Sequence, residues 1–314
     1  MLRGCDHPES DRLIASDRRA YLADAFTDRP FSGNPAGVVT DADGLSDEQM
    51  GQIARELGQT ESCFVLRPDA PDADFRLRWF TPVVEVDLCA HATIAAYVCL
   101  VREGRISATS RVVAIRHQTR RGTLGAWVSA DDDGRPNVQM SVGVAALREA
   151  PDSREGITRT VGLSRDALDP ALPVAIDDAS ARIIVPVRRL ADLLELHPAL
   201  DTIREYSGPS RLTRFTLFSR ETIHPDALVH VRHFAPANGI PEDPVTGTAH
   251  GVLAAYLDWL GELGDRREFV GEQGHALGRP GRVVVHAVRE HGRLIDVRVG
   301  GSAVVVAELR MFLP

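Results

Sequence analysis

Glu61, His91 and Asp243 are the side chains of this sequence best placed for proton transfer. Glu61 follows the helix-stopping Gly58 and precedes the apolar run Cys63–Leu66, so it stands at the mouth of a strand. His91 lies in RWFTPVVEVDLCAHATIAAYVCL, from Arg78 to Leu100, and Asp243 in RHFAPANGIPEDPVTGTAHGVLAAYLDW, from Arg232 to Trp259. Two carboxyl groups and an imidazole can take a proton from carbon next to an unsaturated or carboxyl-bearing group and return it elsewhere, without a cofactor. Each has a blander reading. A lone glutamate is ordinary surface, and an aspartate before a helix is ordinary capping.

Two helix starts would position these groups. The segment around Asp243 runs from an extended lead-in through a Gly/Pro-rich loop with Glu242 and Asp243 into an apolar helix that begins near Gly247. The segment around His91 has the same plan, with Phe80-Thr81-Pro82 paralleling Phe234-Ala235-Pro236. Its small-residue turn, Cys89-Ala90-His91-Ala92, parallels Thr246-Gly247-Thr248-Ala249 about 150 residues later. Such a repeat implies a duplicated domain with both helix starts facing one cleft. Free backbone N–H groups at a helix start bind anions, so Ala90, Ala92, Gly247 and Thr248 are the candidate substrate-binding residues.

Composition narrows the classes further. The 314 residues are 44% apolar and 25% charged, enough for two globular domains with substantial cores. A net charge of −8 without a Lys/Arg run argues against nucleic-acid binding. No apolar run reaches the roughly 18 residues of a membrane span. Cys5, Cys63, Cys89 and Cys99 have neither CxxC nor disulfide-framework spacing, as expected of reduced thiols in the cytoplasm. No metal is expected, because Asp87, Cys89 and His91 should not converge across a strand-to-helix turn. GxSxG, GxGxxG and Walker loops are absent, which leaves no expected cofactor.

Along the chain, residues 1–19 read as a mobile extension. Strands are expected at 21–26, 36–40, 63–66, 75–80, 111–116, 123–129, 137–142, 181–187, 215–219, 227–234, 281–288, 293–299 and 302–309. Ser46 with Gln49 forms a capping-box pattern for a helix that stops at Gly58. Further helices are expected at 90–102, 164–168, 190–196 and from 247, with a loop over Gly271–His275 and Gly278–Gly281. Strands outnumber helices without strict alternation. The fold class is therefore α+β, with two domains that each wrap a curved sheet around a central helix. The boundary is placed at 131, giving a first domain of 20–130, completed by the last strand at about 302–314, and a second of 131–301.

The chain resembles the PhzF-type phenazine biosynthesis isomerases, which share the diaminopimelate-epimerase-like fold. The matching stretches are PFSGNPAGVV (30–39), QTESCFV (59–65), RWFTPVVEVDLCAHAT (78–93), FAPANGIPEDPVTGTAHG (234–251) and EQGHALGRPG (272–281). The resemblance implies pseudo-symmetric domains with the active site between them, and a homodimer. Glu61 would be the proton shuttle of an allylic isomerisation, with His91 and Asp243 holding and polarising the substrate. Gly247 and Thr248 would bind its carboxylate. Racemases of the fold use two thiols. Here Cys89 occupies one position and Thr246 the other, and a threonine hydroxyl does not ionise near pH 7.

The leading expectation is a cofactor-independent isomerase shifting a proton and a double bond in a small carboxylate or cyclic amino acid, in secondary metabolism. The alternatives are a non-catalytic small-molecule-binding member and, third, a racemase or epimerase. Ala90 departs from the family's usual glycine, and its methyl is expected to reshape the pocket.

Overall fold

The computed structural model describes residues 16–150 and 154–313. The first strand begins at Ser16, so Ser16–Arg19 of the expected extension are strand; residues 1–15 lie outside the described residues. The capping box is formed in full: Ser46 Oγ accepts from Gln49 N–H, and Gln49 Oε1 accepts from Ser46 N–H. Gly58, in the left-handed conformation at φ 67°, ends that helix as expected.

Eighteen strands among the described residues form one continuous sheet whose pairing repeats itself. In the first half, Asn34–Val39 is parallel to Ser62–Leu66, which is antiparallel to Phe75–Phe80, which is parallel to Val113–Thr119. In the second, Arg182–Pro186 is parallel to Arg214–Ser219, which is antiparallel to Ala227–Ala235, which is parallel to Glu268–Gln273. The expected duplication is thus written in the hydrogen bonding. The halves join edge to edge where Pro136–Ser141 pairs with Arg293–Gly301.

The last strand, Ala303–Leu313, pairs with the first, Ser16–Ala25. The boundary expected at 131 falls in a tight turn between Gly122–Ala130 and Pro136–Ser141, two strands of one hairpin.

Each half is wound around a thirteen-residue helix, Ala90–Arg102 in the first and Gly247–Trp259 in the second. Every residue from Ala90 to Leu100 is buried, as is every residue from Ala249 to Leu257. A helix apolar on all sides must be enclosed on all sides, and this requirement curls each sheet. Several elements escape the sequence pattern: the helices Arg154–Val161 and Leu200–Ser210 and the short strands Ala175–Asp177 and Ile240–Asp243. The expected loop at Gly271–His275 is instead largely strand, since Glu268–Gln273 is paired on both edges. Gly271 serves close approach there. A Cβ at that position would lie 2.2 Å from His250 Cδ2 on the second central helix.

The two central helices meet at their starts. A Cβ on Gly247 would lie 2.8 Å from Phe26 Cζ and 2.9 Å from Ala90 Cβ. The Ala90 methyl therefore packs beside Gly247, on a backbone with ordinary helical angles. Gly247→Ala should destabilise the protein by about 1–3 kcal/mol through overpacking. Ala90→Gly in the same chain should recover part of the loss, measured as a coupling in denaturant unfolding. Additive effects of the two changes would show that the helix starts do not share this contact.

Candidate active site

The paired helix starts leave their first backbone N–H groups open. Neither N-cap residue, Cys89 or Thr246, caps its helix with its side chain. In both helices the residue four positions on returns a side-chain bond to the N-cap carbonyl: Thr93 Oγ1 to Cys89 O at 2.6 Å, and His250 Nδ1 to Thr246 O at 2.9 Å. Since a carbonyl only accepts, His250 carries its proton on Nδ1. These bonds steady the N-cap without covering the N–H groups, which remain available with the helix dipole behind them.

Asp243 sits just before the second helix start and is buried. Asn34 Nδ2, from the first half, donates to Asp243 Oδ1 at 2.7 Å and to Val245 O at 2.8 Å. Thr246 Oγ1 donates to Asp243 Oδ2. Gln273 completes the frame, with Nε2 donating to Asp243 O at 2.8 Å and Oε1 accepting from Thr246 N–H at 3.0 Å. Burial raises the Asp243 carboxyl above its ordinary range and the Glu61 charge adds to the rise, while His91 and the hydroxyl and amide donors oppose it.

Glu61 enters from the end of a strand in the first half, with its side chain 14% exposed. His91 Nε2 stands 3.7 Å from Glu61 Oε2, and that oxygen is buried without a hydrogen-bond partner. Burial raises the Glu61 carboxyl and lowers the His91 imidazole, so each is driven toward its neutral form. Asp243 is pinned by its donors, whereas Glu61 is free to change what it bonds. A buried carboxyl with a raised pKa and a free oxygen is suited to passing a proton.

Cys89 completes the first helix start. Its Sγ lies 3.4 Å from His91 Nδ1. Burial holds the thiol well above its ordinary range, reinforced by the Glu61 charge and opposed by the Ala92 N–H. Ala92 is itself fully buried, with its N–H toward the Cys89 thiol. Ligand atoms of Glu61, Cys89 and His91 lie within 4.8 Å of one another. The expectation that Cys89 and His91 diverge is thereby corrected, because the turn into the helix folds them back together. Asp87 does not join them; it lies on the surface beside Arg120 and Arg121. A second cluster, His224, Glu272 and His275, is tied into the loops. There Glu272 accepts from the N–H groups of Ile223 and His224 and from His230 Nδ1.

Thr248, in the first turn of the second helix, accepts a hydrogen bond from Arg182 Nη2 at 3.1 Å. Asn34 and Gln273 lie in two of the stretches that carry the resemblance, but nothing in their local sequence marks them as holding Asp243. Arg182 reads only as a strand residue and Arg214 lies just before the expected strand 215–219, although a charged residue heading the apolar run RIIVP is a signal of a site.

The phenazine biosynthesis-like protein (PhzC–PhzF) family profile matches residues 23–309. An uncharacterized isomerase of Clostridium acetobutylicum is 34% identical over 299 residues, covering 93% of this chain and 97% of its own. The uncharacterized isomerase YddE of Escherichia coli K12 is 33% identical, covering 92% and 96%. The crystal structure of a Bacillus anthracis phenazine biosynthesis protein of the PhzF family superposes with a TM-score of 0.85 at 30% identity, over 95% of this chain and all of that one. With a duplicated sheet, two facing helix starts and a profile match over nearly its whole length, this chain belongs to the PhzC–PhzF family of phenazine biosynthesis-like proteins.

Proposed function

We propose that this protein is a cofactor-independent isomerase acting on a small carboxylate or cyclic amino acid in secondary metabolism. Glu61 removes a proton from one carbon, the electron pair left behind forms a new double bond, and the old double bond opens toward the carbon that receives the proton back from Glu61. His91 and Asp243 hold and polarise the substrate, and the open N–H groups around Ala90, Ala92, Gly247 and Thr248 take its carboxylate. The relatives named as isomerases support the reaction class. We further propose a homodimer working in the cytoplasm. Cys63, Cys89 and Cys99 are free thiols, in keeping with that compartment, and no helix among the described residues is long and apolar enough to cross a membrane.

The observation that carries this reading is the unequal state of the two carboxyl groups. Asp243 is immobilised by Asn34 and Thr246, while Glu61 keeps a buried oxygen without a partner 3.7 Å from His91. One mobile base that works on both carbons suits a proton shift better than two opposed bases. The racemase reading needs a second base at Thr246, whose hydroxyl is committed as a donor to Asp243. The non-catalytic reading leaves unexplained why two buried carboxyl groups and an imidazole, all with shifted pKa values, share one cleft.

Glu61→Gln should lower turnover by about 10²–10⁴-fold while substrate binding stays within a few fold. The assay is transfer of label between substrate carbon and D2O, followed by mass spectrometry across candidate carboxylates. Near wild-type exchange in this variant would remove Glu61 from its role. The same variant tests the electrostatics. A carboxyl whose pKa is raised in the folded state leaves stability intact below its ordinary value of 4.5 and removes it as the pH rises through the raised value. Glu61→Gln should therefore melt higher than wild type at pH 7, and the difference should vanish toward pH 4. An equal difference at both pH values would contradict the raised carboxyl.

Cys89→Ala should keep most of the activity, because a thiol held neutral by burial supplies no base. Loss of turnover in both Cys89→Ala and Cys89→Ser, with folding and binding intact, would favour thiol chemistry and hence racemisation.

A further inference from the structure

We propose that Arg182 and Arg214 form a carboxylate-binding subsite in the cleft, so that the substrate's acid group is held by a pair of guanidinium groups and not by helix N–H groups alone. The proposal deepens the isomerase reading and rests on it for the identity of the ligand as substrate. Arg182 heads strand Arg182–Pro186 and Arg214 heads its parallel neighbour Arg214–Ser219, in direct register. Their side chains therefore leave the same face of the sheet side by side. That face continues through Thr216, whose Oγ1 lies 2.9 Å from His233 Nδ1, to His233, paired in register with Asp243. The two arginines thus sit on the surface that ends at Asp243, and Arg182 reaches Thr248 at the helix start.

Their hydrogen bonding sets them apart. Arg182 is 2% exposed, yet Nη2 to Thr248 is its one hydrogen bond among the described residues, and Nε and Nη1 are buried without partners. Among the described residues the Arg214 side chain donates only to Ser180 O, at 2.7 Å. Neither makes an ion pair among the described residues. Asp177, opposite Arg182 in the sheet register, spends its carboxylate on its own turn, accepting from Ala179 N–H and Ser180 Oγ.

Arg232 shows how this fold treats a structural buried arginine. It is 5% exposed, its Nε and Nη2 fork onto Glu242 at 2.8 Å, and its Nη1 donates to the carbonyls of Leu193 and Leu196. No such set surrounds Arg182. A buried guanidinium with free donors destabilises the protein, and its planar fork matches a carboxylate bidentately. Burial and the neighbouring Arg214 charge lower Arg182 to about 9, which still leaves it cationic at neutral pH.

The test uses acetate and benzoate as probes, with acetamide and benzamide as uncharged controls, at constant ionic strength set with sodium chloride. The readouts are melting temperature and calorimetric titration of the full chain. Wild type should bind the carboxylates saturably and ignore the amides. Arg182→Met and Arg214→Met should each lose at least tenfold in carboxylate affinity. In probe-free buffer Arg182→Met should melt no lower than wild type, which a structural arginine such as Arg232 would not allow. Glu61→Gln should keep the full carboxylate response, so failure of the proton shuttle and failure of this subsite are separable. If Arg182→Met does not fold, Arg214→Met and Arg182→Lys carry the test, the lysine keeping the charge but losing the fork and at least threefold in affinity. Wild type binding amides as well as carboxylates, or both methionine variants binding carboxylates within twofold of wild type, would overturn the proposal.

Discussion

The contact between the two central helix starts is the constraint on which the rest depends. Gly247 has no side chain because Phe26 and the Ala90 methyl occupy the space where one would be. That closeness brings two uncapped helix ends, each with open N–H groups and a positive dipole end, to the same small volume. Bare helix ends this near each other repel, and the buried carboxyl groups of Asp243 and Glu61 lie beside them. The duplicated sheet follows from the same requirement, since each helix is apolar on every side and needs a sheet wrapped around it to reach the meeting point buried.

Within that frame the halves have diverged. In the first, the helix start carries Cys89 and His91 against Glu61. In the second, it carries Thr246 and Thr248 against Asp243, Arg182 and Arg214. Asn34 crosses from the first half to hold Asp243, and Arg279 crosses back, donating to Asp24 Oδ1 at 2.6 Å and to the carbonyls of Ser32 and Gly33. These four bonds from two reciprocal side chains fix the relative position of the halves more specifically than apolar contact, because each is directional and buried or partly buried. One symmetric scaffold thereby supports an asymmetric site, with Glu61, Cys89 and His91 on one side and Asp243, Thr248 and Arg182 on the other.

The site holds several of the buried polar atoms that lack a partner. Arg78 forks onto Glu85 and Arg232 onto Glu242. In the cleft, Glu61 Oε2, Asn34 Oδ1 and the Arg182 Nε and Nη1 atoms are buried without partners. Buried groups left without partners cost stability, and at a site a ligand can supply the missing bonds.

Local pattern determined much of this protein by itself. The capping box at Ser46 and Gln49, the alternating strand Phe75–Phe80 and the two apolar helices follow from spacing alone. The repeated turn before each helix disclosed the duplication, and with it His91 and Asp243, while Glu61 stood out by its place at the mouth of a strand. Elements stabilised from outside their own segment stayed hidden. Glu268–Gln273 looked like a loop because Gly271 lacks strand propensity, yet its glycine is demanded by His250 on a distant helix. Tertiary structure alone decided that the boundary expected at 131 falls in a hairpin turn, that Cys89 and His91 converge with Glu61, and that Asn34 and Gln273 hold Asp243. It alone placed Arg182 beside Arg214. Side-chain partnership depends on the register of strands far apart in sequence, and no local spacing encodes that register.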